Sequence, residues 1–304
     1  MPRTLRLLIL FAALWFIGDR AGAFALARLL DHSREPIAQL YGGRAAAEVV
    51  VLGNSRAYRN LDLDSLAARF GGRVTSLAQP GMSMELSRAL FDDYVDRHGA
   101  PRVLIVELSA LFSDASSLKD LRTYASRSRR IEHLVQKHFS TLHYAGMVSA
   151  LFNYNSHFVL NAMHKVFYAM PDQRLDGSWN ERDQAVQPGR YFVPLDDNIT
   201  AAEKLMDTVR RCGIDVRLML TPVAPAYAAA NRIDELRSAI DRIAGGKRVW
   251  DLADTPPTDL RFFVDPSHLN RDGVRSFMAE LTSQGFFAAS NGRTGSKASC
   301  VTAD

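Results

Sequence analysis

The strongest constraint on how this chain folds is a rhythm, in which short apolar runs rich in β-branched residues alternate with stretches of helical period. Glu48-Val-Val-Val-Leu52, Arg73 to Leu77, Arg102 to Leu108, Asp215 to Leu220 and Lys247 to Leu252 read as strands. Strands that are apolar on both faces belong in the interior of a parallel sheet. Residues 57–70, 83–97, 200–212, 232–244 and 271–284 read as helices, and Gly71-Gly72 and Gly213 supply stop signals. Strand and helix in strict alternation predict an α/β fold, a doubly wound parallel five-stranded sheet covered on both faces.

Residues from about 112 to 195 interrupt that rhythm. They begin helical and charge-rich (Lys119 to Lys137), become aromatic-rich (Phe152 to Tyr168) and end in a polar loop around Pro188-Gly189. A structureless loop of that length does not suit a compact domain, so the stretch is expected to be a helical insertion. Residues 289–304 are small, polar and unpatterned, and are expected to be a disordered tail. The α/β domain with its insertion is then expected over 31–288, with 31–46 as a polar connector.

The N-terminus carries a separate signal. Arg3 and Arg6 precede an unbroken apolar run, Leu7 to Ile17; Gly18, Asp19 and Arg20 interrupt it, and a second apolar stretch reaches Leu30. Eleven apolar residues suit a signal-peptide core, with Ala21-Gly22-Ala23 as a small-residue cleavage site. Alternatively, Leu7 to Leu30 is a single helix that crosses the membrane with Asp19 and Arg20 near the outer interface. Both readings of residues 1–30 export the remainder, because the arginines stay inside. The expected location is the inner membrane facing the periplasm, or the periplasm itself after cleavage near Ala23. The overall composition, 23% charged residues with a formal net charge of +4, suits a soluble domain beyond that segment. No Lys/Arg cluster with interleaved aromatics points to nucleic acid. Neither Cys212 and Cys300 nor the insertion histidines (His133, His138, His143, His157, His164) show metal-ligand spacing, and no metal or cofactor is expected.

Two segments carry chemistry. Gly53-Asn54-Ser55-Arg56 leaves the first strand and enters the first helix. In open α/β sheets ligands bind beyond the carboxyl ends of the strands. A serine at that edge, on a helix N-terminus, has amide N–H groups and a helix dipole around it that favour a developing oxyanion. Asp265-Pro266-Ser267-His268 precedes the last helix. An aspartate three residues before a histidine can hold imidazole Nδ1 and leave Nε2 to act as general base. Both loops open on the same edge of a doubly wound sheet, so Ser55, His268 and Asp265 form a candidate catalytic set.

These residues resemble the SGNH (GDSL-like) hydrolase superfamily, whose sheet is flavodoxin-like. Gly53-Asn54-Ser55-Arg56 looks like its nucleophile block, with Asn54 in place of the usual aspartate. Leu77-Ala78-Gln79-Pro80-Gly81 is similar to the second block, whose glycine donates an N–H to the oxyanion hole, and Asp265 with His268 matches the last block. The resemblance covers about 47–110 and 200–285. It implies an oxyanion hole built from the Ser55 and Gly81 amides, with Asn54, Arg56 and Gln79 along the substrate cleft; Thr221, which follows the fourth strand at the carboxyl edge, is expected either to line that cleft or to belong to a rigid loop. The third block normally supplies an Asn within Gly-x-Asn-Asp; here the strand runs Val106-Glu107-Leu108-Ser109, and Ser109 is the candidate substitute donor. That departure, with the N-terminal segment, is similar to the membrane-anchored branch of the superfamily, which includes alginate O-acetylation proteins and the D-alanyl transfer protein of lipoteichoic acid synthesis. By resemblance, the partners are an acyl donor, an envelope glycan or lipid acceptor, and a membrane-bound O-acyltransferase. The competing expectation is a non-catalytic envelope scaffold or glycan-binding module on the same fold.

Arg127, Arg129 and Arg130, beside Lys119 and Arg122, read as a solvated basic face, with contact to a polyanionic glycan or phospholipid headgroups as the alternative, and Phe152, Tyr154, Phe158, Phe167 and Tyr168 as core or lid packing residues. The export expectation has a direct check. A reporter enzyme that works only outside the cytoplasm, fused after residue 40, is expected to be active; an inactive fusion, alongside strong activity of a cytoplasm-only reporter fused at the same position, contradicts it.

Overall fold

A computed structural model describes residues 2–169, 174–178, 192–231 and 233–288 of the chain. From the N-terminus come α1 (Arg3–Leu30) and α2 (Pro36–Tyr41), then β1 (Val49–Leu52), α3 (Ser55–Asn60), α4 (Leu63–Phe70), β2 (Val74–Ser76), α5 (Met84–His98) and β3 (Val103–Glu107). A helical stretch follows, with α6 (Leu118–Leu121), α7 (Arg129–His138), α8 (Ser140–Val148) and α9 (His157–Phe167). Alternation resumes with α10 (Asp196–Cys212), β4 (Asp215–Leu220), α11 (Pro225–Ala230), α12 (Ile233–Ala244) and β5 (Val249–Asp251). The chain closes with a two-stranded ribbon, β6 (Phe263–Asp265) and β7 (His268–Leu269), and α13 (Arg271–Ser283).

The chain divides into two compact units, the described residues of Met1–Arg44 with Leu118–Met170, and those of Ala45–Ser117 with Pro171–Asp304. The second is the doubly wound α/β unit. Its five strands run parallel in the order β2-β1-β3-β4-β5. All of β1 is inaccessible to solvent, as are Ile105 of β3 and Met219 of β4, as expected for strands with helices on both faces. Phe263 and Leu269 of the ribbon join Phe277 and Leu281 of α13 in the same apolar cluster as Val49, Val51 and Ile105. The ribbon is thereby tied to the core of the sheet.

Two features of this unit differ from the sequence expectation. Residues 57–70 are not one helix. The chain leaves the helical conformation at Leu61, and Asp62 caps a new helix by accepting from Asp64 N at 3.2 Å. An aspartate that can serve as an N-cap competes with continuation of the helix. The ribbon β6/β7 is the second difference; its strands are too short to show a period of two in the sequence.

The helical unit takes in residues expected to form a connector. Within 31–46 lies α2, with Pro36 in its first turn and Ile37, Leu40 and Tyr41 buried. Tyr41 stacks on Tyr124 at 4.3 Å, and Phe158 packs edge-on against Tyr124. Lys165 and Glu35 form a buried ion pair. The helical part of the predicted insertion is therefore confirmed as helix, but it folds with the N-terminal helices. Phe158 is buried as expected of a packing residue, whereas Phe167 and Tyr168 are 69% and 60% exposed. In α1 every described residue up to Gly18 is exposed, and its mean hydropathy of 1.7 and length suffice to cross a membrane. The Pro188-Gly189 loop, Cys300 and the expected tail 289–304 lie outside the described residues.

Gly53, between β1 and the candidate nucleophile, is held at φ +144°, and a Cβ there would come within 2.8 Å of Ala57 Cβ and 2.9 Å of Glu107 Cβ. Gly71, at φ +68°, has open space around it. Gly53→Ala is accordingly expected to destabilise the α/β unit by about 2–4 kcal/mol, and Gly71→Ala by about 1 kcal/mol. Urea unfolding of the two variants checks the difference, and equal midpoints would contradict the close-approach argument.

Candidate active site

The carboxyl ends of β1, β3 and β4 converge on a buried polar network. Asn54, just past β1, caps α3: its Oδ1 accepts from Arg56 N at 3.0 Å. The same oxygen accepts from Ser109 Oγ at 2.9 Å, and Asn54 Nδ2 donates to Ser113 Oγ at 3.1 Å. At the end of β3 the Glu107 carboxylate is inaccessible to solvent. It accepts from Ser109 N at 3.2 Å and from the Ser109 hydroxyl, and Thr221 N and Oγ1 both lie 3.4 Å from Oε1. Arg56, also buried, sends Nε to Thr221 Oγ1 at 3.0 Å and Nη2 to the Thr221 carbonyl, and its Nε lies 3.8 Å from Glu107 Oε1. Burial pulls the Arg56 guanidinium below its ordinary pKa, while the neighbouring Glu107 charge opposes that shift.

Ser55 is the first residue of α3 and is partly exposed. A first-turn amide has no partner within its own helix, so the Ser55 N–H is free for a ligand. Asn54 and Gly53 together aim it. The glycine lets the strand end pass close under Glu107, and the asparagine fixes the helix start.

The histidine arm is built by the ribbon. Asp265 and His268 face each other across β6 and β7, joined by Pro266-Ser267. His268 Nδ1 lies 2.7 Å from Asp265 Oδ2 and 3.0 Å from Oδ1. Oδ1 also accepts from His268 N at 3.0 Å and from Ser267 N at 2.9 Å. Burial raises the Asp265 pKa, but the His268 hydrogen bond and charge and the Ser267 donors outweigh it, and the carboxyl stays below its ordinary value. His268 Nε2 is buried and has no hydrogen-bond partner among the described residues.

Asn60, the last residue of α3, ties the two arms together. Its Oδ1 accepts from Leu269 N at 3.0 Å, and its Nδ2 donates to Thr221 Oγ1 at 3.2 Å. The helix that begins with Ser55 thus ends on the strand that carries His268, and α3 packs against β7. On the other side, Pro266 O accepts from Ala224 N at 2.9 Å.

Gly81 lies in an exposed turn after β2 at φ +70°, a conformation that favours glycine. Gln79, in the same turn, is partly exposed. Asn54, Arg56 and Thr221, expected along the cleft, are instead buried in the network beneath the site. Ser109 is likewise inaccessible, and its single proton serves inner acceptors, Glu107 and Asn54, so its hydroxyl does not point an N–H-like donor at a substrate. Glu107 and Asn60 were not anticipated as site residues. The signal for Glu107 was present, as an acid ending an otherwise apolar strand; Asn60 carried none, since a surface helix ends on asparagine just as often.

No protein-family model and no curated protein matches the chain.

The Asp265 geometry fixes a pH dependence. A carboxyl with a lowered folded-state pKa contributes stability above its unfolded value, near 3.8, and loses it as pH falls through the folded value. The stability difference between the wild type and Asp265→Asn is therefore expected to shrink as pH falls below about 4, where Asp265 becomes protonated. Denaturant midpoints across the acid range check it; a difference that stays constant or grows below about pH 4 contradicts the assigned hydrogen bonds.

Proposed function

We propose that this chain performs serine-dependent acyl-ester chemistry outside the cytoplasm, as an esterase or O-acyltransferase acting on a cell-envelope glycan or polymer. The observation that carries this reading is the His268–Asp265 pair, 2.7 Å apart at Nδ1, with its other nitrogen buried and unpartnered beside the helix that begins at Ser55. A buried imidazole nitrogen left without a partner is costly, and such costs are characteristic of reactive sites.

In this mechanism His268 Nε2 removes the Ser55 hydroxyl proton as Oγ attacks the ester carbonyl. The Ser55 and Gly81 N–H groups receive the tetrahedral oxyanion. Collapse breaks the ester C–O bond, His268 returns the proton to the leaving alcohol, and the acyl group stays on Ser55. A second hydroxyl, from water or a sugar, gives its proton to His268 and attacks the acyl carbon, and Ser55 is regenerated as Oγ takes the proton back. Asp265 holds the tautomer and steadies the imidazolium throughout. Resemblance to the membrane-anchored SGNH proteins favours the sugar acceptor. That resemblance also supports a membrane-bound O-acyltransferase as partner, and the apolar α1 supports anchorage at the inner membrane with the folded units in the periplasm.

The scaffold reading is separated from this one by a fluorophosphonate probe. Ser55 is expected to be labelled in the wild type, and labelling is expected to vanish in Ser55→Ala and fall steeply in His268→Ala. Asp265→Asn is expected to slow acyl-ester turnover by a factor on the order of 10⁴, the effect of the equivalent change in a serine protease triad. Full activity in Ser55→Ala, or a wild-type chain that resists the probe, contradicts the proposal.

A further inference from the structure

A cavity of about 520 Å³ opens in the helical unit beside the second half of α1. Three guanidinium groups line it, from Arg20 and Arg28 of α1 and from Arg127, together with the polar side chains of Ser126, Asn153 and Tyr154; no carboxylate is among its lining residues. Arg20 pairs with Asp19, and Arg127 is held by Asp31 at 2.5 and 2.9 Å. Arg28 rests over the Phe24 ring at 5.1 Å and has no carboxylate partner among the described residues. Small residues, Ala23 and Ala27 on one side and Gly146 and Ala150 on the other, keep the cavity open. Arg20 and Arg127 are already paired with acids, so Arg28 supplies the uncompensated positive charge, and with the polar side chains of Ser126, Asn153 and Tyr154 beside it the cavity suits the oxygens of a phosphate.

Its position says where the phosphate comes from. A helix crosses about 30 Å of hydrocarbon in about 20 residues, which, counted from Leu7 after the two arginines, brings α1 to the bilayer surface near Leu26. The α1 lining of the cavity, from Arg20 to Arg28, brackets that level, and Phe24 is 61% exposed. At this level Arg20 Nη2 donates to the Met147 carbonyl at 3.1 Å, and Asp19 accepts from Ala150 N at 2.7 Å, which fixes the end of α8 against α1. Tyr144, Met147 and Val148 at that end are 58%, 61% and 66% exposed. An apolar rim around the base of a membrane-entering helix suits the interfacial zone, where aromatic and apolar side chains meet headgroups.

We propose that this cavity binds the phosphate headgroup of an anionic phospholipid from the leaflet on which the folded units lie. The proposal rests on the reading of α1 as a membrane anchor. The chemistry shared by lipid and free anion is the phosphate; continuity with α1 selects the lipid.

The test uses the full chain purified in detergent, with native mass spectrometry counting bound dioleoyl-phosphatidylglycerol, dioleoylglycerol and glycerol phosphate. Phosphatidylglycerol is expected to bind, and dioleoylglycerol and glycerol phosphate are expected to bind at least about tenfold more weakly. Arg28→Glu, which removes a guanidinium with no ion pair, and Ala27→Phe, which fills the cavity at unchanged charge, are each expected to lower phosphatidylglycerol occupancy about tenfold. Arg275→Glu, exposed in the α/β unit, controls for net charge and is expected to leave occupancy unchanged. The proposal is overturned if dioleoylglycerol binds as well as phosphatidylglycerol, if glycerol phosphate competes equally, or if both cavity variants fold and keep full occupancy. Fractionation of cells expressing the full chain separates the two levels. A chain found wholly in the soluble fraction overturns the anchor and the site together, whereas membrane association without a phosphatidylglycerol preference overturns the site alone.

Discussion

Glu107 closes an otherwise apolar strand with a carboxylate that no solvent reaches, and the carboxyl edge of the sheet is arranged around holding that charge. An uncompensated buried carboxylate is so costly that removing a partner from such a pair destabilises by about 3–5 kcal/mol. Here the compensation comes from three neighbouring segments: Arg56 from the helix after β1, Ser109 from the turn after β3, and Thr221 from the loop after β4. The same arrangement accounts for Gly53. A side chain there would meet Glu107 Cβ, so the chain between β1 and Ser55 can pass only as glycine. The position of Ser55 is thus set by a residue that no solvent reaches.

Asn60 and Thr221 carry that constraint onward to the histidine arm. Thr221 donates to Glu107 and accepts from both Arg56 and Asn60, which satisfies its one proton and its lone pairs at once. Asn60 then grips the backbone of Leu269, next to His268. Serine and histidine are therefore referenced to one shared frame, although 213 positions separate them in the sequence (268 less 55). Rigid support of this kind keeps a reactive constellation in register. The ribbon adds its own restraint, since Phe263 and Leu269 are sunk in the core while Asp265 and His268, paired across it, remain partly exposed.

The strands and most helices were legible in the sequence because burial on both faces writes an unambiguous apolar run, as Val49–Leu52 and Asp215–Leu220 show. The packing of α3, which begins at Ser55, against β7, which begins at His268, agrees with the rule that loops after parallel strands share one edge. The network beneath was not. Asn54, Arg56 and Thr221 read as cleft residues because polar side chains at a strand end are usually solvated, and only the position of Glu107 turns them inward. Residues 31–46 read as a connector because α2 is six residues long, and its partners, such as Tyr124, lie far along the chain. Pairings set by distant contacts leave no local period to detect.

The account stands on an acyl group carried by Ser55 during turnover. Intact-mass and peptide mass spectrometry of the protein, quenched in acid shortly after mixing with an activated acetyl ester, tests this most directly. The account predicts one added acetyl group, located on the peptide that contains Ser55, absent from Ser55→Ala and accumulating more slowly in His268→Ala. Turnover of the ester with no adduct on that peptide, or an adduct that persists in Ser55→Ala, would contradict it.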